Sequence, residues 1–160
     1  ISDIKVGLSN FKGVQRRFNK IFTFNETDFY DDYAHHPTEI KVVLEGVKKV
    51  YKGYDKVCIF QPHRISRLKD LRKEFSFAFQ NADTVVLCPV YTAGEKIKLG
   101  FSYFNFAKEI IKNSKVKLFL VNDNKQLAMF VKKNMFGKKI VIGMGAGSIS
   151  NWMRKLPELM

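Results

Sequence analysis

The chain is predicted to fold as an α/β layer structure built on a mostly parallel sheet of about six strands, with an antiparallel strand at one edge. Three observations predict it. Continuous apolar runs recur at Lys56–Phe60, Thr84–Cys88, Lys117–Val121 and Lys139–Gly143, and runs without polar alternation are strands covered on both faces. Between them lie segments whose apolar residues return every three or four positions, the spacing of a helix with one buried face. Two further strand candidates, Arg16–Phe24 and Asp28–Tyr33, come first; Asn25-Glu26 between them suits a hairpin turn and supplies the antiparallel edge.

In chain order, Ile1–Asn10 reads as the tail of a helix or loop continuing from upstream, and Gly13 as a turn. After Pro37, the residues Ile40, Val43, Leu44, Val47 and Val50 form a helical stripe that Gly53 ends. Ile65, Leu68, Leu71, Phe75 and Phe79 form a second stripe, read as one helix, and a third helix is expected around Ser102–Asn113. Asp123 with Gln126 three residues later has capping-box spacing: the aspartate accepts an orphan N–H and the glutamine reaches back.

With 160 residues, 46% of them hydrophobic, the chain suffices for one compact domain with a sizeable core, and residues 1–160 are read as one domain. It opens on Ile1 without a secretory signal pattern, so it is expected to belong to a longer protein. No apolar run approaches the roughly 20 residues of a membrane span. The cysteines, Cys58 and Cys88, sit in strand-like apolar runs, where reduced thiols behave as small hydrophobes and point to a cytoplasmic protein. The net charge of +13 raises nucleic acid as a partner, but the lysines are scattered, no basic run reaches five residues, and the phenylalanines fall at core-spaced positions. Neither nucleic acid nor membrane is expected as a partner.

Ligands of open α/β sheets gather at the carboxyl ends of the strands, so the strand-to-helix junctions are the candidate sites. The first is Asp31-Asp32-Tyr33-Ala34-His35-His36-Pro37-Thr38-Glu39, where paired carboxylates, a phenol and tandem imidazoles meet a helix start. Zinc is the sharper rival there, but adjacent histidines diverge and no thiol is near in sequence, so no metal is expected. The second, Phe60–Arg67, enters a helix with Arg64 and Arg67 three residues apart; two guanidinium forks on one helical face would clamp a carboxylate or phosphate. The third, Gly143-Met144-Gly145-Ala146-Gly147-Ser148, lacks the spacing and downstream acid of a dinucleotide fingerprint and reads chiefly as a tight turn allowing close backbone approach. No G-x-x-x-x-G-K-[ST] loop occurs, so ATP chemistry would need a second domain.

The segments GVQRRF at Gly13–Phe18, DDYAHHPTE at Asp31–Glu39, FQPHRISR at Phe60–Arg67 and YTAGE at Tyr91–Glu95 together resemble the C-terminal domain of the UDP-N-acetylmuramate:L-alanine ligases of the Mur ligase family. The likeness runs from about Phe11 to about Ser150. Muropeptide-recycling ligases share a segment similar to the histidine motif; FQPHR favours the L-alanine enzymes. The resemblance implies a three-layer, Rossmann-like domain that closes over an active site completed by two absent domains. One of these binds the UDP-sugar; the other carries the P-loop and holds most of the ATP and Mg2+. It further implies that Arg17 reaches the ATP phosphates and Asp32 the ribose hydroxyls. Arg64 and Arg67 would clamp the L-alanine carboxylate, with His35 orienting the amino acid and Tyr33 lining the pocket. His36 and His63 are read as support at the helix entrances. Ser148 stands where many relatives are expected to carry Asp.

Overall fold

A computed structural model describes residues 15–96 and 102–160 of the chain, so the expected tail at Ile1–Asn10 and the turn at Gly13 lie outside the described residues. The strands are β1 (Asn19–Phe24), β2 (Thr27–Asp32), β3 (Asp55–Phe60), β4 (Thr84–Leu87), β5 (Lys117–Leu120) and β6 (Lys139–Met144). They form one sheet in the order β1-β2-β6-β3-β4-β5. β1 runs antiparallel to β2 and every other pair is parallel, as expected from the hairpin and the apolar runs. The helices are α1 (Pro37–Val50), α2 (Ile65–Asp70), α3 (Arg72–Phe77), α4 (Tyr103–Ser114), α5 (Asn124–Asn134) and α6 (Ile149–Leu159).

Alternation along the strands sorts the core into two halves. Cys58, Phe60, Val85, Leu87, Ile140 and Ile142 face α1 to α4, meeting Ile40, Leu44, Phe75, Phe106 and Ile110. Phe29, Val57, Ile59, Val86 and Val141 face α5 and α6, meeting Leu127, Val131, Ile149, Met153 and Leu156. The result is a three-layer sandwich, and each fully buried aliphatic or aromatic side chain contributes about 1.5–3 kcal/mol.

The hairpin turn Asn25-Glu26 has positive φ at both residues, as a type I′ two-residue turn requires. β1 begins later than the expected Arg16, because Arg16 and Phe18 take positive φ and break the extended run. α1 opens at Pro37, as its sequence predicts; beyond that expectation, Glu39 accepts the His36 backbone N–H to complete a capping box. The Asp123 cap also forms, with Gln126 N–H donating to its carboxylate at 2.8 Å; the Gln126 side chain reaches past the cap to accept from Asn122 instead. Two expectations fail. The stripe Ile65–Phe79 is not one helix but two short ones, α2 and α3, broken at Leu71. β5 is not covered on both faces: as the last strand of the sheet it leaves Phe119 and Leu120 each 43% exposed.

Candidate active site

The three junctions singled out in the sequence come together because β6 lies between β2 and β3. The glycine-rich turn after β6 therefore separates the Asp31–Glu39 segment from the Phe60–Arg67 segment. Its glycines allow the close approach. Gly145 has φ +147°, and a Cβ there would stand 2.6 Å from the Gln61 carbonyl oxygen; one on Gly147 would stand 2.5 Å from Tyr91 Cγ. Gln61, buried between these turns, accepts the Ile149 N–H at 3.0 Å and donates to Ser148 Oγ at 3.0 Å, tying the start of α6 to the end of β3. Ser148 is thus engaged within the turn.

Asp31 and Asp32 point to opposite faces and do different things. Asp31, with no exposed surface, accepts the Ser150 hydroxyl and stands 3.5 Å from Arg154 and 3.7 Å from Arg16 Nε. Arg16 also donates to the Gly145 carbonyl and lies 4.8 Å over the Tyr33 ring. Sequence reasoning assigned Asp31 and Arg16 no role. The available signal was Asp31's spacing of two from Phe29, which puts a carboxylate on a buried strand face, where it must find a partner.

Asp32 accepts the N–H groups of Phe18 and Ala34, each at 2.8 Å. Burial pushes its carboxyl above the ordinary value, against the pull of those two hydrogen bonds. Asp32 lines a cleft of about 270 Å³ with Arg17, Tyr33, Thr38, Glu39 and Val43. The cleft offers an exposed cation, carboxylate lone pairs and an apolar wall, a set that suits a nucleotide.

On the other side of Tyr33 the rings form a chain. Tyr33 and His35 stand 5.1 Å apart, His35 and His63 6.0 Å, and His63 stacks on Tyr91 at 5.5 Å. Glu39 fixes the tandem histidines by accepting both their backbone N–H groups at 3.0 Å. Arg67 reaches His63 Nδ1 at 3.4 Å; a guanidinium only donates, so Nδ1 accepts and the ring proton sits on Nε2. Burial, then the neighbouring Arg67, His35 and Arg64, lowers the His63 pKa and favours the neutral ring.

The YTAGE segment is clasped onto this cluster. Arg64 N–H donates to the Tyr91 carbonyl at 2.8 Å, and Glu95 accepts the Ser66 hydroxyl at 2.6 Å and its N–H at 3.0 Å. Arg64 departs from expectation. It caps α2 with φ 69°, ahead of the helix, so the shared helical face inferred from its three-residue spacing to Arg67 does not exist. Tyr33, His35 and Arg67 are therefore joined through His63, Arg64 adjoins them through the backbone, and Arg17 with Asp32 occupies the neighbouring cleft. Among the described residues no group of three or more His, Cys, Asp or Glu could hold a metal ion.

Comparison with known proteins gives this geometry a context. Residues 16–147 match the family described as Mur ligase, glutamate ligase domain. The UDP-N-acetylmuramate–L-alanine ligase of Pelagibacter ubique is 72% identical over 157 residues, covering 98% of this chain and 34% of that protein. The ligase of the same name from Rickettsia bellii is 41% identical, covering 99% of this chain and 34% of its own length. Among solved structures, the UDP-N-acetylmuramate–alanine ligase of Thermotoga maritima superposes with a TM-score of 0.72 at 29% identity, covering 96% of this chain and 31% of that one. A murein peptide ligase from Psychrobacter arcticus shares the fold, with a TM-score of 0.73 at 19% identity, covering 96% of this chain and 32% of that one. The chain spans about a third of the length of the curated relatives it matches.

Proposed function

The chain belongs to the Mur ligase family, in its glutamate ligase domain, and from that premise we propose that it is the C-terminal domain of a cytoplasmic, ATP-dependent ligase joining L-alanine to UDP-N-acetylmuramate. The observation that carries this reading is the pair of neighbouring sites sharing Tyr33: the cleft lined by Arg17 and Asp32, and the His35–His63–Arg67 cluster beside it.

Arg17 neutralises ATP phosphates as the domain closes. Asp32 retains lone pairs beyond its two backbone hydrogen bonds, and these accept ribose hydroxyls. Arg67 and Arg64 hold the alanine carboxylate, and His35 turns the amine toward the acyl phosphate formed from the muramoyl carboxylate. Attack then gives a tetrahedral intermediate that expels phosphate. In this scheme positioning and charge neutralisation do most of the work. Mg2+ and the P-loop are assigned to the other domains of such a ligase; among the described residues no group of three or more His, Cys, Asp or Glu gathers at one place.

The test is steady-state kinetics on the longer protein containing this chain. Arg67→Ala should cost about 2 kcal/mol, roughly a 30-fold rise in the KM for L-alanine, with the KM for ATP unchanged. An unchanged alanine KM would remove the carboxylate clamp. A preference for a tripeptide over free L-alanine would move the protein to the muropeptide-recycling branch.

A further inference from the structure

Arg16 has no part in the proposed scheme, although it adjoins Arg17. The two side chains diverge: Arg17 is exposed and lines the cleft beside Asp32, whereas Arg16 does not line it and its side chain is only 21% exposed.

Asp31 decides where the Arg16 guanidinium lies. Its side chain has no exposed surface, and a buried carboxylate keeps its charge only beside a cation. Arg16 Nε stands 3.7 Å from Asp31 Oδ1, and neither atom has a hydrogen-bond partner among the described residues. The other carboxylate oxygen is engaged by α6: Ser150 donates to it, and Arg154 stands 3.5 Å away. Asp31 is thus anchored to α6 through one oxygen and attracts Arg16 with the other.

Placed in this way, the guanidinium makes two further contacts, as its planar fork allows. It donates to the carbonyl of Gly145, whose own N–H reaches the Asp32 carbonyl at 3.4 Å. It also lies 4.8 Å from the centre of the Tyr33 ring, within range of a cation–π attraction. The Arg16 backbone holds the same residue, its carbonyl accepting the Tyr33 N–H at 2.8 Å. Tyr33 needs such support: it is 41% exposed, yet it both lines the Arg17–Asp32 cleft and stands 5.1 Å from His35.

We propose that Arg16 is a positioning residue for the amino-acid substrate: steered by Asp31, it fixes the Tyr33 ring between the two sites without touching substrate itself. The inference rests on the reading of the chain as part of an L-alanine-adding ligase. A tyrosine held at one angle gives the amino acid a fixed wall beside His35. A tyrosine free to turn leaves that space less defined, and L-alanine binds more weakly.

The test is a double-mutant cycle on the longer protein containing this chain, with L-alanine varied at saturating ATP. Arg16→Gln keeps a donor for the Gly145 carbonyl but loses the charge; it should raise the KM for L-alanine about tenfold with little change in kcat. In a Tyr33→Leu background, where no ring remains to be held, the same substitution should raise it less than about twofold. Arg16→Lys, which keeps a cation for Asp31 and the ring, should recover most of the loss. A purely structural role gives the same fold-change in both backgrounds, and that result would overturn the proposal. So would Arg16→Lys performing no better than Arg16→Gln. If Arg16→Gln does not fold, the cycle is run with Asp31→Asn and Arg16→Gln combined, which leaves neither charge of the pair buried alone. A parent protein that does not use L-alanine would remove the ligase reading and the proposal with it; normal use of L-alanine with equal fold-changes removes only the role of Arg16.

Discussion

His35 and His63 stand with their ring centroids 6.0 Å apart, although they follow strands β2 and β3, which are not neighbours in the sheet. β6 separates those strands, and only the bare backbone of its glycine-rich turn lets the two segments meet across it. Arg67 extends the pair through His63, so the state of the His63 ring reports on the cluster.

His63 is expected to titrate below 6.5, since burial and then Arg67 act against its protonation. A histidine with a depressed folded pKa contributes stability above its unfolded value that is lost as pH falls through the folded one. Arg67→Gln should move the His63 pKa back toward 6.5 in an NMR titration. A ring titrating identically in both proteins would show that Arg67 does not sense it.

Asp31 ties β2 to α6 and to Arg16 from a site with no exposed surface. Asp31→Ala leaves Arg16 facing an uncharged pocket and should cost about 3 kcal/mol in urea unfolding. Asp31→Asn keeps an acceptor for Ser150 and should cost less. Equal losses would mean that the charge is immaterial.

Two glycines should respond with opposite signs. Gly145→Ala forces a Cβ to within 2.6 Å of a backbone oxygen at φ +147° and should destabilise by about 2 kcal/mol. Gly46, inside α1 with nothing within 4 Å of its Cβ position, should gain about 0.5–1 kcal/mol on replacement by Ala. Thermal melts of both variants check the contrast, and a stable Gly145→Ala would mean the turn relaxes easily.

Much of this was legible beforehand where the signal is local. The cap at Asp123, the proline start of α1 and the alternation of buried strands with amphipathic helices each depend on residues within one turn or one strand. The reading failed where a stripe hid a break, as at Leu71, and where spacing stood in for conformation, as at Arg64. Apolar content alone could not show that β5 is an edge, since Lys117–Leu120 looks the same whether or not another strand lies beside it.

By itself the sequence determined the element types, the parallel core and the junctions that carry polar groups, because periodicity and capping are short-range properties of the chain. Strand order was decided only in three dimensions. The placement of β6 between β2 and β3 assembled the cluster, sent Asp31 and Asp32 to separate tasks and left β5 open, because these outcomes depend on which distant segments share a hydrogen-bonded edge.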